Sequence, residues 1–216
     1  SAPSLVLGVL DAAEVSTGDN FTCVRRAGGS VVCWGLNSSG QLGDNTTTQR
    51  VVQGPVAGVA DASRIALGQL FACVRRADRN VSCWGGNGSG QVGDGSVTNR
   101  PLPSGSVFGV PASAGCTATT CPTLRVSLGN VHACATTAAR TAVCWGYNAQ
   151  GQLGDNGVAT RSSPVAVVGL TDVEQLGAGT NFNCALRGDR TVVCWGLGSS
   201  GQLGNGATAS ARLPVS

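Results

Sequence analysis

A fourfold internal repeat constrains this chain more than any other feature. The tripeptide Cys-Trp-Gly occurs four times, and each copy has another cysteine ten residues earlier and a Gly-Gln pair seven residues later. The tripeptides begin at Cys33, Cys83, Cys144 and Cys194, so their spacings are 50, 61 and 50 residues. Self-similarity at such a period indicates an array in which each unit packs on its neighbours.

The repeat divides the 216 residues into units of about 50 residues. The third unit is longer because it carries an eleven-residue insertion, which lies within Pro101 to Pro122. We therefore expect a single domain of four repeats over residues 1–216. The repeats cover approximately residues 1–50, 51–100, 101–161 and 162–211, and residues 212–216 return to the register of residues 1–5.

Within a unit, the local signals favour β-structure. Residues 21–25 and 31–34 are short runs rich in β-branched and aromatic residues, and Ala27 to Gly29 between them suits a tight hairpin loop. Helical periodicity is absent from the sequence. Several short strands in a repeated unit of this length are typical of a propeller blade, so the sequence predicts an all-β fold, a β-propeller-type array of four blades.

The paired cysteines predict a disulfide across each hairpin. Opposed residues of two antiparallel strands have Cα atoms about 4.5 to 5.5 Å apart, which a disulfide accepts. Zinc is the alternative, but zinc sites favour closely spaced ligands and usually recruit histidine, of which the chain has one. We expect no metal and no cofactor. The expected disulfides are Cys23–Cys33, Cys73–Cys83, Cys134–Cys144, Cys184–Cys194 and, inside the insertion, Cys116–Cys121.

The disulfides favour a secreted or cell-surface protein, because such bonds persist in oxidising compartments. The chain contains no methionine and begins with Ser-Ala-Pro-Ser, which we interpret as a mature form without its signal peptide. It has no run of eighteen apolar residues and therefore no predicted membrane span. Charged residues make up 12% of the chain, and its arginines are scattered rather than clustered, so we expect no nucleic-acid binding.

His132 and the tryptophans are predicted to pack inside the array. His132 occupies the register of Phe21, Phe71 and Phe182, which indicates a packing position rather than a catalytic one. Strand alternation places each tryptophan on the face opposite the preceding cysteine. This favours an inter-blade core over a stacking surface for sugars or bases. The tryptophans concerned are Trp34, Trp84, Trp145 and Trp195.

Three units carry a Gly-Asp loop after the Gly-Gln pair, beginning at Gly43, Gly93 and Gly154. Acidic oxygens in glycine-rich loops can bind calcium, but a calcium site needs several converging oxygens. Asp and Asn also favour turns, because their side chains bond to the nearby backbone. Turn formation is the preferred interpretation, and weak calcium binding stays open.

The loop motifs resemble the regulator of chromosome condensation repeat family. Residues 34–43 and 145–154 fit its pattern W-G-x-N-x-x-G-Q-L-G, and the other two units differ at Val92 and Gly198. The resemblance implies a β-propeller. It leaves function open, because such repeats serve nucleotide exchange on a small GTPase, light sensing, β-lactamase inhibition and protein binding.

Two departures from the family bear on assembly. Family propellers usually have about seven repeats, whereas this chain has four, and its paired cysteines resemble a secreted bacterial branch. Four blades could close into a ring, or they could form an open arc whose ends meet another copy. The sequence does not choose between the two.

These observations predict a non-enzymatic binding scaffold that recognises a protein or glycan through loops of the propeller face. The insertion is the expected partner-binding element, including Val107, Phe108, Cys116 and Cys121. The alternative is a self-assembling structural protein of a surface fibre or layer, its copies joined blade to blade as a homo-oligomer or polymer. An enzyme would need a catalytic set that these repeats do not supply.

Overall fold

The computed structural model describes residues 5–107 and 125–216, which form strands and turns. Within these ranges no helix is long and apolar enough to cross a membrane. The described residues contain fifteen strands in four antiparallel sheets, which are the blades. Blade 1 contains β1 (Ala12–Thr17), β2 (Phe21–Arg26), β3 (Val31–Gly35) and β4 (Arg50–Pro55); blade 2 contains β5 (Ala62–Leu67), β6 (Phe71–Arg76) and β7 (Val81–Gly85). Blade 3 contains β8 (Val126–Leu128), β9 (His132–Thr136), β10 (Ala142–Gly146) and β11 (Arg161–Ala166); blade 4 contains β12 (Val173–Ala178), β13 (Phe182–Arg187), β14 (Val192–Gly196) and β15 (Ala211–Val215).

The central hairpin of each blade has the register that the sequence predicts. In blade 1, Cys23 lies opposite Cys33, with their Cα atoms 4.1 Å apart and their sulfurs bonded. The same pairing recurs in the other three blades. The all-β propeller prediction and the four hairpin disulfides are therefore confirmed, while Cys116–Cys121 lies outside the described residues.

The blades are arranged around a common axis in the order of the chain. The first strand of each blade is innermost, and β1 contacts β5, β5 contacts β8, and β8 contacts β12. Backbone hydrogen bonds join the turns beside these strands from one blade to the next, as from the Gln69 amide to the Asn130 carbonyl at 3.2 Å. Each blade therefore contacts the next blade along the chain at the axis.

Each blade has two unlike faces, because neighbouring residues of a strand point to opposite sides of the sheet. The disulfide face bears Cys33, which packs in a cluster with Trp84 of the next blade. The tryptophan face bears the indole and packs against the preceding blade. Three such clusters fill the interfaces between blades 1 and 2, 2 and 3, and 3 and 4.

The four blades of the described residues form an open arc and not a closed ring of four. Trp84, Trp145 and Trp195 are fully buried, whereas Trp34 has no preceding blade on its face and is partly exposed. The expectation of a buried core position is thus wrong in part for Trp34. At the other end, Gly204 of blade 4 has no heavy atom within 4 Å of where a Cβ would lie.

Candidate protein-interaction surfaces

The Trp-Gly-x-Asn loop is a rigid framework built on one buried asparagine. Asn87 is fully buried, and its amide donates to the carbonyls of Ser96 at 3.2 Å and Thr98 at 3.0 Å. Its side-chain oxygen accepts a hydrogen bond from the Val92 amide at 2.9 Å. Asn37 and Asn148 occupy the same place in their blades. The loop satisfies its own polar groups and thereby presents the Gly-Gln segment to the next blade.

The aspartates of the Gly-Asp loops bond within their own loop. Asp94 accepts from the Ser96 hydroxyl at 2.7 Å and pairs with Arg100 at 2.5 Å. Partial burial raises the pKa of Asp94, but the bonds from Ser96 and Arg100 outweigh it, so the pKa lies below its usual value. The described residues contain no cluster of three or more metal-ligating His, Cys, Asp or Glu side chains.

An indole hydrogen bond fixes every interface between blades. The Nε1 atoms of Trp84, Trp145 and Trp195 donate to the carbonyls of Gln41, Gln91 and Gln152 in the preceding blade, each at 2.9 Å. The glycine two residues after each glutamine must lack a Cβ. At Gly93, for example, a Cβ would lie 2.6 Å from the Trp145 nitrogen. The tryptophan and the Gly-Gln loop are therefore two halves of one joint.

His132 is a buried packing residue at the interface between blades 3 and 4. Its Nε2 lies 3.1 Å from the Asn183 side-chain oxygen, and its side chain is fully buried. Burial lowers the pKa of His132 to about 4, against a smaller opposing effect of the Asn183 hydrogen bond. The imidazole is therefore neutral at physiological pH and does not reach the surface.

Four turns at the axis surround a shallow depression of about 320 Å³. Each turn contains a glycine that lets the aromatic ring of its blade pack closely; at Gly18 a Cβ would clash with Phe21. The residue after that glycine is polar and different in every blade: Asp19, Gln69, Asn130 and Thr180. The depression therefore combines a constant framework with four different hydrogen-bonding side chains.

These turn residues escaped the sequence analysis. The repeat shows a glycine at Gly18, Gly68, Gly129 and Gly179, each followed by a variable polar residue. That pattern could have identified a variable surface on a constant frame. Only the folded array shows that the four turns meet at one place.

The residues predicted to bind a partner through the insertion have different outcomes. Val107 is buried beside Gly93 and Trp145, so its side chain belongs to the core between blades 2 and 3 and is unavailable to a partner. That part of the expectation is wrong, because Val107 occupies the place that Val56 has in the preceding interface. Phe108, Cys116 and Cys121 lie outside the described residues.

Models of the regulator of chromosome condensation (RCC1) repeat match residues 12–41, 62–91, 144–186 and 173–202. These segments include parts of all four blades and together cover more than half of the chain. The chain belongs to the RCC1 repeat family. No protein of known annotation matches the sequence significantly.

Solved structures show the same fold at low sequence identity. Yeast RCC1 (Prp20), in a crystal structure with Kap60, superposes with a TM-score of 0.79 at 18% identity; the match covers 94% of this chain and 48% of that one. Human WBSCR16 gives 0.77 at 18% identity, with 94% and 52% covered. The ectodomain of the Arabidopsis thaliana receptor kinase ACR4 gives 0.51 at 22% identity, with 95% and 53% covered. This RCC1 repeat chain thus spans about half the length of the propellers that it resembles.

Proposed function

We propose that this protein is a non-enzymatic, extracytoplasmic scaffold that binds a protein or glycan through loops on one face of the propeller. The RCC1-type propeller is commonly a binding scaffold. One such relative, yeast Prp20p, is described with binding properties to Gsp1p and histones. The four disulfides support an oxidising compartment.

The observation that carries the proposal is the convergence of the four axial turns. Their side chains offer a carboxylate, two amides and a hydroxyl around a depression of about 320 Å³. Groups of this kind recognise backbone amides or sugar hydroxyls through hydrogen bonds. Asp19 and Thr180 are exposed, while Gln69 and Asn130 are partly exposed, so a partner can reach all four.

Binding of extracellular proteins and glycans to the immobilised protein, measured across panels of each, tests this proposal. Replacing Asp19, Gln69, Asn130 and Thr180 together by alanine should weaken binding of a captured partner by about tenfold or more. The unfolding midpoint should stay within a few degrees, because the side chains are at the surface. The exposed loop serines Ser38 and Ser199 provide a matched control when both are changed to alanine. Unchanged binding by the fourfold variant would exclude the axial face.

The insertion is a second binding element of the proposal. Residues 101–122 interrupt an otherwise regular repeat, and inserted loops commonly carry function. Deleting residues 112–121 removes both insertion cysteines and leaves eight residues between Val107 and Val126, as many as separate Val56 from Ile65. Because the buried Val107 stays in place, this deletion should reduce partner binding without unfolding the array. Full binding by the deletion variant would assign recognition to the axial turns alone.

Self-assembly is the second candidate function. An open arc exposes two faces that are buried between blades elsewhere, and unpartnered faces of this kind favour association. Copies joined blade to blade could build a surface fibre or layer. The mass of the protein in solution, measured by light scattering across a concentration series, separates a monomeric scaffold from an assembling one.

A further inference from the structure

The tryptophan end of the arc is the face of blade 1 that bears Trp34. Its exposure is clearest at Val15, which is 65% exposed, whereas Ile65 and Leu176 in the same register are 7% and 6% exposed. Beside Trp34 runs a groove of about 280 Å³ with exposed apolar walls that include Leu7. The face that every other blade covers with its predecessor is uncovered here.

The disulfide end is the opposite face of blade 4, which bears Cys184 and Cys194. Val192 is 53% exposed there, whereas its counterparts Val31, Val81 and Ala142 are at most 2% exposed. Gly204 is exposed, whereas the corresponding glycines of the other three blades are buried against a tryptophan of the next blade. At the disulfide end, the site that a tryptophan indole fills in the other three blades is therefore open.

We propose that a second copy of this chain occupies both ends, so that two arcs close head to tail into an eight-bladed ring. The tryptophan end and the disulfide end are the two halves of the joint that the chain already makes three times. Each arc supplies four blades, so two arcs supply eight. Eight blades lie within the range known for propellers.

The register of the new joint follows from the internal ones. In each copy, Trp34 would donate to the Gln202 carbonyl of the other copy, as Trp84 does to Gln41. Gly206 corresponds to Asn45, and Val51 corresponds to Pro101. Because the Asn45 amide donates to the Pro101 carbonyl of the next blade, the Gly206 amide would donate to the Val51 carbonyl of the other copy. The Thr180 amide would donate to the Asp19 carbonyl of the other copy, just as the Asn130 amide donates to the Thr180 carbonyl of the next blade.

The segment before blade 1 is already held in the conformation that the joint needs. Arg26 bonds the Gly8 carbonyl at 2.7 Å, as Arg76 bonds the Gly58 carbonyl at 3.0 Å in the linker between blades 1 and 2. Val6 thereby takes the register of the buried Val56 and Val167, which pack against the joint glycines. Val6 itself is 46% exposed and free to pack against Gly204 of another copy.

The charges at the two ends are complementary. Between blades 3 and 4, Arg140 pairs with Asp172 at 2.7 Å. The corresponding residues at the ends are Arg190, whose side chain is 80% exposed, and Asp11, which is 49% exposed. Joining the two ends brings these opposite charges together and favours the head-to-tail arrangement over two like ends.

This inference rests on the second function proposed above and is independent of the axial face. Light scattering of the 216-residue chain across a wide concentration range, without reductant, should show a discrete species of twice 21.5 kDa. Gly204→Asn should raise the dissociation constant of the dimer by about tenfold or more, because the new side chain fills the site that the Trp34 indole of the other copy would occupy. Asparagine tolerates the positive φ of 69° at Gly204. Gly169→Asn, at φ 73° and equally open, is the matched control and should change nothing.

A covalent cross-link tests the register. Val6→Cys with Gly204→Cys should give a covalent dimer on oxidation, because the equivalent Val167 and Gly154 are in contact. Val6→Cys with Gly169→Cys should not cross-link in this way. A monomer at every concentration, an open-ended ladder, or a dimer unaffected by Gly204→Asn would each overturn the ring. None of these outcomes alters the binding measured for the axial variants, so the two proposals fail separately.

Discussion

The Nε1 atom of Trp145 donates a 2.9 Å hydrogen bond to the Gln91 carbonyl of the preceding blade, and both groups are buried. Trp145→Phe removes the donor, leaves the buried Gln91 carbonyl without this hydrogen bond and opens a cavity. We expect this variant to lose about 2 to 4 kcal/mol in the free energy of unfolding, measured by urea titration.

Trp34→Phe is the matched control for this change. Trp34 is partly exposed and has no such acceptor among the described residues. Its replacement should cost less than about 1 kcal/mol at concentrations where the protein is monomeric. Equal losses for the two variants would contradict the role assigned to the inter-blade hydrogen bond.

His132 makes the stability of the protein depend on pH. Burial lowers its pKa to about 4 in the folded chain, whereas a histidine in an unfolded chain has a pKa near 6.5. Between these values the unfolded state binds a proton that the folded state does not, so stability falls as the pH falls. The loss from pH 6.5 to pH 4 should amount to about 3 kcal/mol.

A double variant isolates the histidine contribution. His132→Phe with Asn183→Ala reproduces the Phe71–Ala133 arrangement of the neighbouring interface. Urea titrations at several pH values should show that this part of the pH dependence has disappeared. An unchanged slope between pH 4 and pH 6.5 would refute the assignment to His132.

The disulfides should differ in their contribution to stability although their loops are equally long. Replacing Cys73 and Cys83 by alanine should cost about 2.5 kcal/mol from chain entropy, and more because both sulfurs pack between blades 2 and 3. The same change at Cys184 and Cys194 should cost about 1 kcal/mol less, since Cys184 lies at the open end and is partly exposed. Denaturant titration of the two double variants measures the difference.

Asn87 should be essential to its loop. Asn87→Ala leaves the Val92 amide and the carbonyls of Ser96 and Thr98 without their side-chain partner. We expect a loss of about 2 to 3 kcal/mol by urea titration. Ser38→Ala, an exposed change in the equivalent loop of blade 1, should stay within about 0.5 kcal/mol of the parent.

The sequence predicted the internal structure of a blade well because that structure is local. The spacing of Cys23 and Cys33 set the hairpin register, and the adjacency of Cys33 and Trp34 set them on opposite faces of the sheet. The Phe register of His132 likewise indicated its packing position, which the structure places at the interface with Asn183. Each inference rested only on the alternation of side chains along a strand and on the alignment of the four repeats.

The tertiary structure alone decided how the blades meet. Trp34 and Trp84 share the same Cys-Trp-Gly context, yet Trp84 is buried and Trp34 is partly exposed, because only Trp84 has a preceding blade. Asp19 and Thr180 lie far apart in sequence but line one depression. Burial and convergence of this kind depend on contacts between blades, which identical local sequences cannot encode. The repeat therefore determined the unit, and the packing of units determined the open ends and the axial face.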